Sequence, residues 1–172
     1  MRKMLWGLVL LLLASSSAVF AEADAPVHPV LGVYEKRTVY VDSNVSVTFA
    51  QHAENMDGGR MILGEDDLVV ADKLDIVNHR EHYRVTPPRY LVETLTETSR
   101  QALLDRWLID DERFKLPYDT RIRIQNGTYG WDELFEFWLV GDQVYEIDID
   151  YGTGADSPWR IMYIYELTRI SD

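Results

Sequence analysis

The 172 residues include no cysteine, and that absence excludes more chemistry than any motif adds. There is no disulfide framework, no thiol nucleophile and no cysteine-ligated zinc or iron–sulfur centre. Positive charge is also scarce. Seventeen Lys and Arg stand against 29 Asp and Glu, for a formal charge of −12. Nucleic acid and anionic membrane are read by clustered cations, so both drop out as partners, whereas a basic protein would be drawn to such a chain. No nucleophile elbow, phosphate-binding glycine loop, dinucleotide fingerprint, His-Glu-x-x-His zinc motif or calcium loop occurs. The expectation is a protein that is not an enzyme and holds no cofactor or metal.

What is present starts at the N-terminus. Arg2 and Lys3 precede an apolar run from Leu5 to Leu13, and a small polar stretch ends at Val19-Phe20-Ala21. That order is the anatomy of a secretory signal peptide cut after Ala21. The run falls short of the roughly 20 apolar residues that a spanning helix needs. Residues 1–21 are therefore read as signal, 22–29 as a flexible leader, and 30–172 as a single β-rich domain. Small secreted eukaryotic domains lean on disulfides, so export without cysteine points to a bacterial periplasm or exterior. Losing Arg2 and Lys3 takes the formal charge of −12 two units further down, with no membrane association after processing.

Along the domain, Thr38 to Val41 and Val45 to Phe49 are β-branched and aromatic around Asp42-Ser43-Asn44, and read as a hairpin. Gln51 to Arg60 reads as loop. Met61 to Leu63, Leu68 to Val70, Leu74 to Val77, Tyr83 to Thr86 and Tyr90 to Thr96 read as short strands. One helix is expected over Arg100 to Ile109, where Leu103, Leu104, Trp107 and Leu108 share a face. Thr98 or Ser99 would cap it, and a strand at Trp107 to Ile109 is the alternative.

The last third reads as a meander. Asn126-Gly127 is a hairpin signal, and a two-residue turn there would pair Ile122 with Trp131 and Arg121 with Asp132. For the next hairpin, a two-residue Gly141-Asp142 turn would set Phe137 against Glu146. A three-residue turn over 141–143 pairs Leu139 with Tyr145 and Phe137 with Ile147, matching apolar with apolar, and is preferred. Trp159 to Ile170 is apolar on both sides and expects cover on both. The fold class is mostly β: an antiparallel meander forming a small barrel or sandwich, with one short helix.

In the preferred register Glu136 faces Asp148 on the exposed side, with Glu146, Asp150 and Trp138 beside them. Like charges across a strand pair destabilise, so Arg121 and Arg123 on the neighbouring strand, water or a basic partner must offset them. Exposed Trp commonly anchors partners. Glu136, Trp138, Glu146, Asp148 and Asp150 are thus the candidate partner-binding face. His79-Arg80-Glu81-His82 is read as a polar loop beside a strand in preference to a ligand site.

The opening His28-Pro29-Val30-Leu31-Gly32-Val33-Tyr34 resembles the first strand of lipocalin-like barrels, where a Gly-x-Trp meets a late Arg packed on the ring. Here Tyr34 stands in the Trp position and Arg169 is the counterpart. The resemblance implies a small up-and-down barrel that holds a ligand or acts as a binding module. The functional expectation is an exported, soluble, acidic binding protein, of inhibitor or immunity type, engaging a basic protein. A carrier of a small apolar ligand is the second reading, and a carboxylate-dependent hydrolase the weakest.

Overall fold

The structure is a computed structural model that describes residues 30–78, 80–81, 83–125, 135–151 and 157–171. The signal and leader, His79, His82, the Asn126-Gly127 turn and Trp131 lie outside the described residues. The chain opens with β1 (Gly32–Val41), on which Tyr34 and Lys36 are buried while Glu35 and Arg37 face solvent. That is the period of two a strand imposes. It does not form a hairpin with Val45 to Phe49. Ser46 instead caps α1 (Val47–Met56), accepting from the Phe49 N–H at 3.4 Å. The helix turns Ala53 and Met56 onto the sheet. Helix here overrides the local β preference of Val45, Val47 and Phe49, because only a helix brings both residues down on one side.

Two short strands follow, β2 (Arg60–Leu63) and β3 (Leu68–Ala71). The chain reaches β2 through Gly59, where a Cβ would lie 2.6 Å from the Ala71 carbonyl oxygen. Leu74 to Val77 is not strand but part of α2 (Lys73–Val77), fixed by a capping box between Asp72 and Asp75. Then come β4 (Tyr83–Val85), β5 (Tyr90–Thr94) and α3 (Glu97–Leu104). Helix α3 starts earlier than the expected caps, because Thr96 and Ser99 form the capping box. It also stops at Leu104, and Trp107 enters β6 (Trp107–Leu108), the strand alternative. There are three α-helices among the described residues where one was expected.

The meander itself holds: β7 (Thr120–Ile124), β8 (Phe135–Val140), β9 (Gln143–Asp150) and β10 (Trp159–Ser171) are consecutive neighbours. The sheet order is β4-β3-β2-β1-β10-β9-β8-β7-β5, with β6 parallel to β10 and all other pairs antiparallel. The sheet curls into a half-barrel, compatible with a lipocalin-like barrel. Both of its faces are covered. On the α1 face, Ala53 and Met56 pack with Tyr34, Met61, Phe137, Leu139, Tyr163 and Tyr165. On the α3 face, Leu104, Trp107 and Tyr118 pack with Trp138, Ile147, Ile149, Ile161 and Ile164. Cover on both sides of β10 is as expected. A register shift between Ile161 and Tyr163 sets Ile161 on the face opposite Tyr163, where strict alternation would have put them together.

Both hairpin registers differ from the sequence expectation. Ile122 pairs with Phe137 and Arg121 with Trp138, six places from the partners a tight Asn126-Gly127 turn would give. At the second hairpin the turn is Gly141-Asp142, so Phe137 faces Glu146 and Leu139 faces Val144. Gly141 sits at φ 56, the left-handed conformation that a two-residue hairpin turn asks of its first position.

Candidate functional site

A one-residue slip in register sends side chains to the opposite face, and the expected acidic face is the casualty. Glu136 (1% exposed) and Trp138 (0%) are buried on the α3 face, whereas Glu146 (3%) is buried on the α1 face. Asp148 is half-buried with Oδ1 sealed from solvent, and Asp150 alone is exposed. The five residues therefore form no common outward surface. Glu136 and Asp148 are not opposite each other; Glu136 pairs with Ile147, and Asp148 with Phe135. The expectation that acids on β8 and β9 point to water fails because both faces of the sheet are core.

On the α1 face, β1 supplies Lys36, β9 supplies Glu146 and Asp148, and β10 supplies Tyr163 and Tyr165. Tyr163 pairs directly with Asp148, and Tyr165 with Glu146. Lys36 Nζ lies 2.8 Å from each Glu146 carboxylate oxygen and 4.0 Å over the Tyr165 ring. Lys36 is only 2% exposed. Burial raises the Glu146 pKa and the Lys36 charge opposes that rise. Burial, then the Glu146 charge, lifts Asp148 well above the ordinary carboxylate range. Tyr163 is pushed up to about 12 by burial and by Asp148. The Asp148 Oδ1, Tyr163 hydroxyl and Tyr165 hydroxyl find no hydrogen-bond partner among the described residues. The sequence signal for Lys36 was its two-residue spacing from Tyr34.

Linkage gives this cluster a measurable pH dependence. With its folded pKa above the unfolded value, Asp148 contributes stability that is whole in acid and is lost as pH rises toward the folded pKa. One proton limits that slope to about 1.4 kcal/mol per pH unit. Asp148→Asn cannot ionise. Its Tm should match the parent near pH 4 and exceed it increasingly at neutral and alkaline pH, as thermal unfolding in a buffer series would read.

On the α3 face, Glu136 accepts four hydrogen bonds from three side chains. Arg121 Nε donates to its Oε2 at 2.6 Å and Arg121 Nη2 to its Oε1. Trp138 Nε1 donates to Oε2 at 2.8 Å, and the Tyr151 hydroxyl donates to Oε1. Burial works against the Arg121 cation, but the Glu136 bonds outweigh it and its pKa ends above the usual value. The Tyr151 hydroxyl is raised by burial first and by Glu136 second. Arg121 thus does offset Glu136, in a sealed network instead of on a surface. Arg121 Nη1 also lies 3.5 Å from Glu93.

This network forms the floor of a cavity of about 550 Å³ lined by Leu91, Leu103, Arg106, Arg121, Arg123, Ile124, Gln125, Glu136, Tyr151 and Trp159. Strands β5, β7 and β8 make the base, while the end of α3 and the start of β10 make the wall. Arg106 lies 4.3 Å over the Trp159 ring and its Nη2 donates to the Ser157 carbonyl at 3.1 Å. Arg121 lies 5.3 Å from the same ring, so two guanidiniums pack on one indole. Sequence reasoning singled out Arg121 and Arg123 but missed Arg106, whose place depends on α3 ending at Leu104.

The half-barrel defines the class: mostly β and antiparallel, with two covered faces and, among the described residues, an arginine-lined cleft. At its seam, Arg169 pairs with Tyr34, donates to its hydroxyl at 3.1 Å and lies 5.5 Å over its ring, as the first-strand resemblance implies. Comparison with known protein families, curated proteins and solved structures finds no match to this chain. Among the described residues, no His, Cys, Asp and Glu cluster of three or more could hold a metal ion. No helix among them is long and apolar enough to cross a membrane.

Proposed function

We propose that this is an exported binding protein without catalytic apparatus, and that a small ligand occupies the cleft on its α3 face. The cleft carries the reading. Its volume of about 550 Å³ falls in the range of small-molecule sites, and its lining is largely polar, with Leu91, Leu103 and Trp159 beside the arginines. Arg121 and Glu136 hold each other and are braced by Trp138 and Tyr151, an arrangement suited to a rigid floor more than to proton transfer. The charged start, apolar run and Ala21 support export to a bacterial periplasm or exterior. The Tyr34–Arg169 pair and the curled sheet support a lipocalin-like binding module.

The small-ligand reading is favoured over docking of a basic protein because only Asp150 of the five acidic-face residues is exposed. The test is a small-molecule screen followed by amide and indole NMR shifts. Support is a set of hits whose shifts cluster on Leu91, Leu103, Arg123 and Trp159 and vanish in Leu103→Trp, which fills the cleft. Hits that cluster elsewhere, or survive Leu103→Trp unchanged, overturn it.

A further inference from the structure

Resting on the reading of this cleft as a ligand site, we infer that its ligand is an amphipathic organic anion: an apolar body ending in one carboxylate. The first observation is an inversion of sign. In a chain of 29 acids and 17 bases, the described residues of the cavity wall include Arg106, Arg121 and Arg123 against one carboxylate, Glu136. Low-dielectric walls of one sign focus the field in such a cleft. A cationic ligand would face three guanidiniums.

The three arginines divide the work. Arg121 is committed to Glu136 through Nε and Nη2, with Glu93 beside its Nη1, so it sets the floor. Arg106 is stacked on Trp159 and tied to Ser157, which fixes the plane of its fork. Arg123 is exposed at the cleft and has no acidic partner among the described residues. A planar fork with N–H groups in one plane matches a carboxylate bidentately. Arg123 is therefore the residue that reads the ligand's charge, and Arg106 is the positioned second contact. With Glu136 and Glu93 offsetting part of the positive charge, a single anionic group balances the site better than a dianion would.

The second observation is where the apolar lining falls. Leu91 is the cross-strand partner of Arg123, and Leu103 completes that side, whereas the Ile124 side chain packs on the opposite face with Ile122 and Phe137. A ligand whose head group meets Arg123 thus lays its apolar body on Leu91 and Leu103, where burial favours it.

The probes are octanoate, octanamide and octylamine, titrated into the full processed protein and followed by calorimetry and amide shifts. Octanoate is expected to bind at least tenfold tighter than octanamide, with shifts at Leu91, Leu103 and Arg123. Raising salt or introducing Arg123→Gln should weaken it about tenfold, and Arg123→Lys should recover part of the loss. Since Arg123 is exposed and outside the Glu136 network, the variant keeps the fold, which its unchanged Tm would certify. Equal binding of octanoate and octanamide at the cleft, or tighter octylamine, overturns the anion inference and leaves the cleft reading standing. Octanoate that moves only resonances away from the cleft, or none, overturns the inference. The Leu103→Trp comparison then decides the cleft reading separately.

Discussion

Lys36→Met should lower the unfolding free energy by about 3–5 kcal/mol, the usual result of removing one member of a buried ion pair. Glu146 would be left at 3% exposure with Asp148 as its neighbour and no cation at 2.8 Å. The loss is large because an unpaired buried carboxylate must be desolvated with nothing in return. Two features separate this account from simple loss of packing. Glu146 can escape by taking a proton, so the deficit should shrink as pH falls. Lys36→Met combined with Glu146→Leu should also recover most of the stability, since an apolar pair often replaces a buried ion pair without loss. Urea melts of the parent, both single variants and the double variant form the required cycle. A single-variant loss below about 1 kcal/mol, or a double variant worse than the sum of the singles, contradicts it.

The second large effect belongs to Glu136. Glu136→Leu removes the acceptor of Arg121, Trp138 and Tyr151 at once, leaving a cation at 7% exposure without its main partner. The expected loss is again about 3–5 kcal/mol, with roughly 1–3 kcal/mol more for each stranded donor that finds no water. Against a total stability of about 5–15 kcal/mol, that variant is at the edge of folding. Glu136→Gln keeps the shape and one acceptor oxygen, and should lose less while still folding. The readout specific to this network is the Trp138 indole N–H resonance, which should move in Glu136→Gln while Tyr118, packed at 5.2 Å against the same indole, stays in place. An unmoved indole signal would break the account.

The meander over β7 to β10 is legible because turn residues and apolar runs alternate there without competition. The register is not. Choosing between turns by matching apolar with apolar assumes that acids face water, and that assumption holds only for a sheet with one wet side. Here α1 covers one face and α3 with Trp107 and Tyr118 covers the other. Glu136 and Glu146 are then both inside, Glu136 matched by Arg121 on the adjacent strand and Glu146 by Lys36 two strands away across β10. Helix α1 was hidden for a related reason: Val45, Val47 and Phe49 look like strand, while Ala53 and Met56, which decide the matter by packing, sit in a stretch that looks polar. Capping residues were a better guide than composition, since Ser46, Asp72 and Thr96 mark all three helix starts. The Tyr34–Arg169 contact came from resemblance alone; no periodicity links positions that far apart.

Strand β10 lies between β1 and β9, so it is the seam between an N-terminal group of four strands and a C-terminal group. It is also the last in chain order of the strands among the described residues. Until it emerges, Tyr34 lacks Arg169, Glu146 lacks Tyr165, and the two groups have no shared ladder. Order in time thus opposes order in space: the two strand groups stay unjoined until the stretch that links them is free.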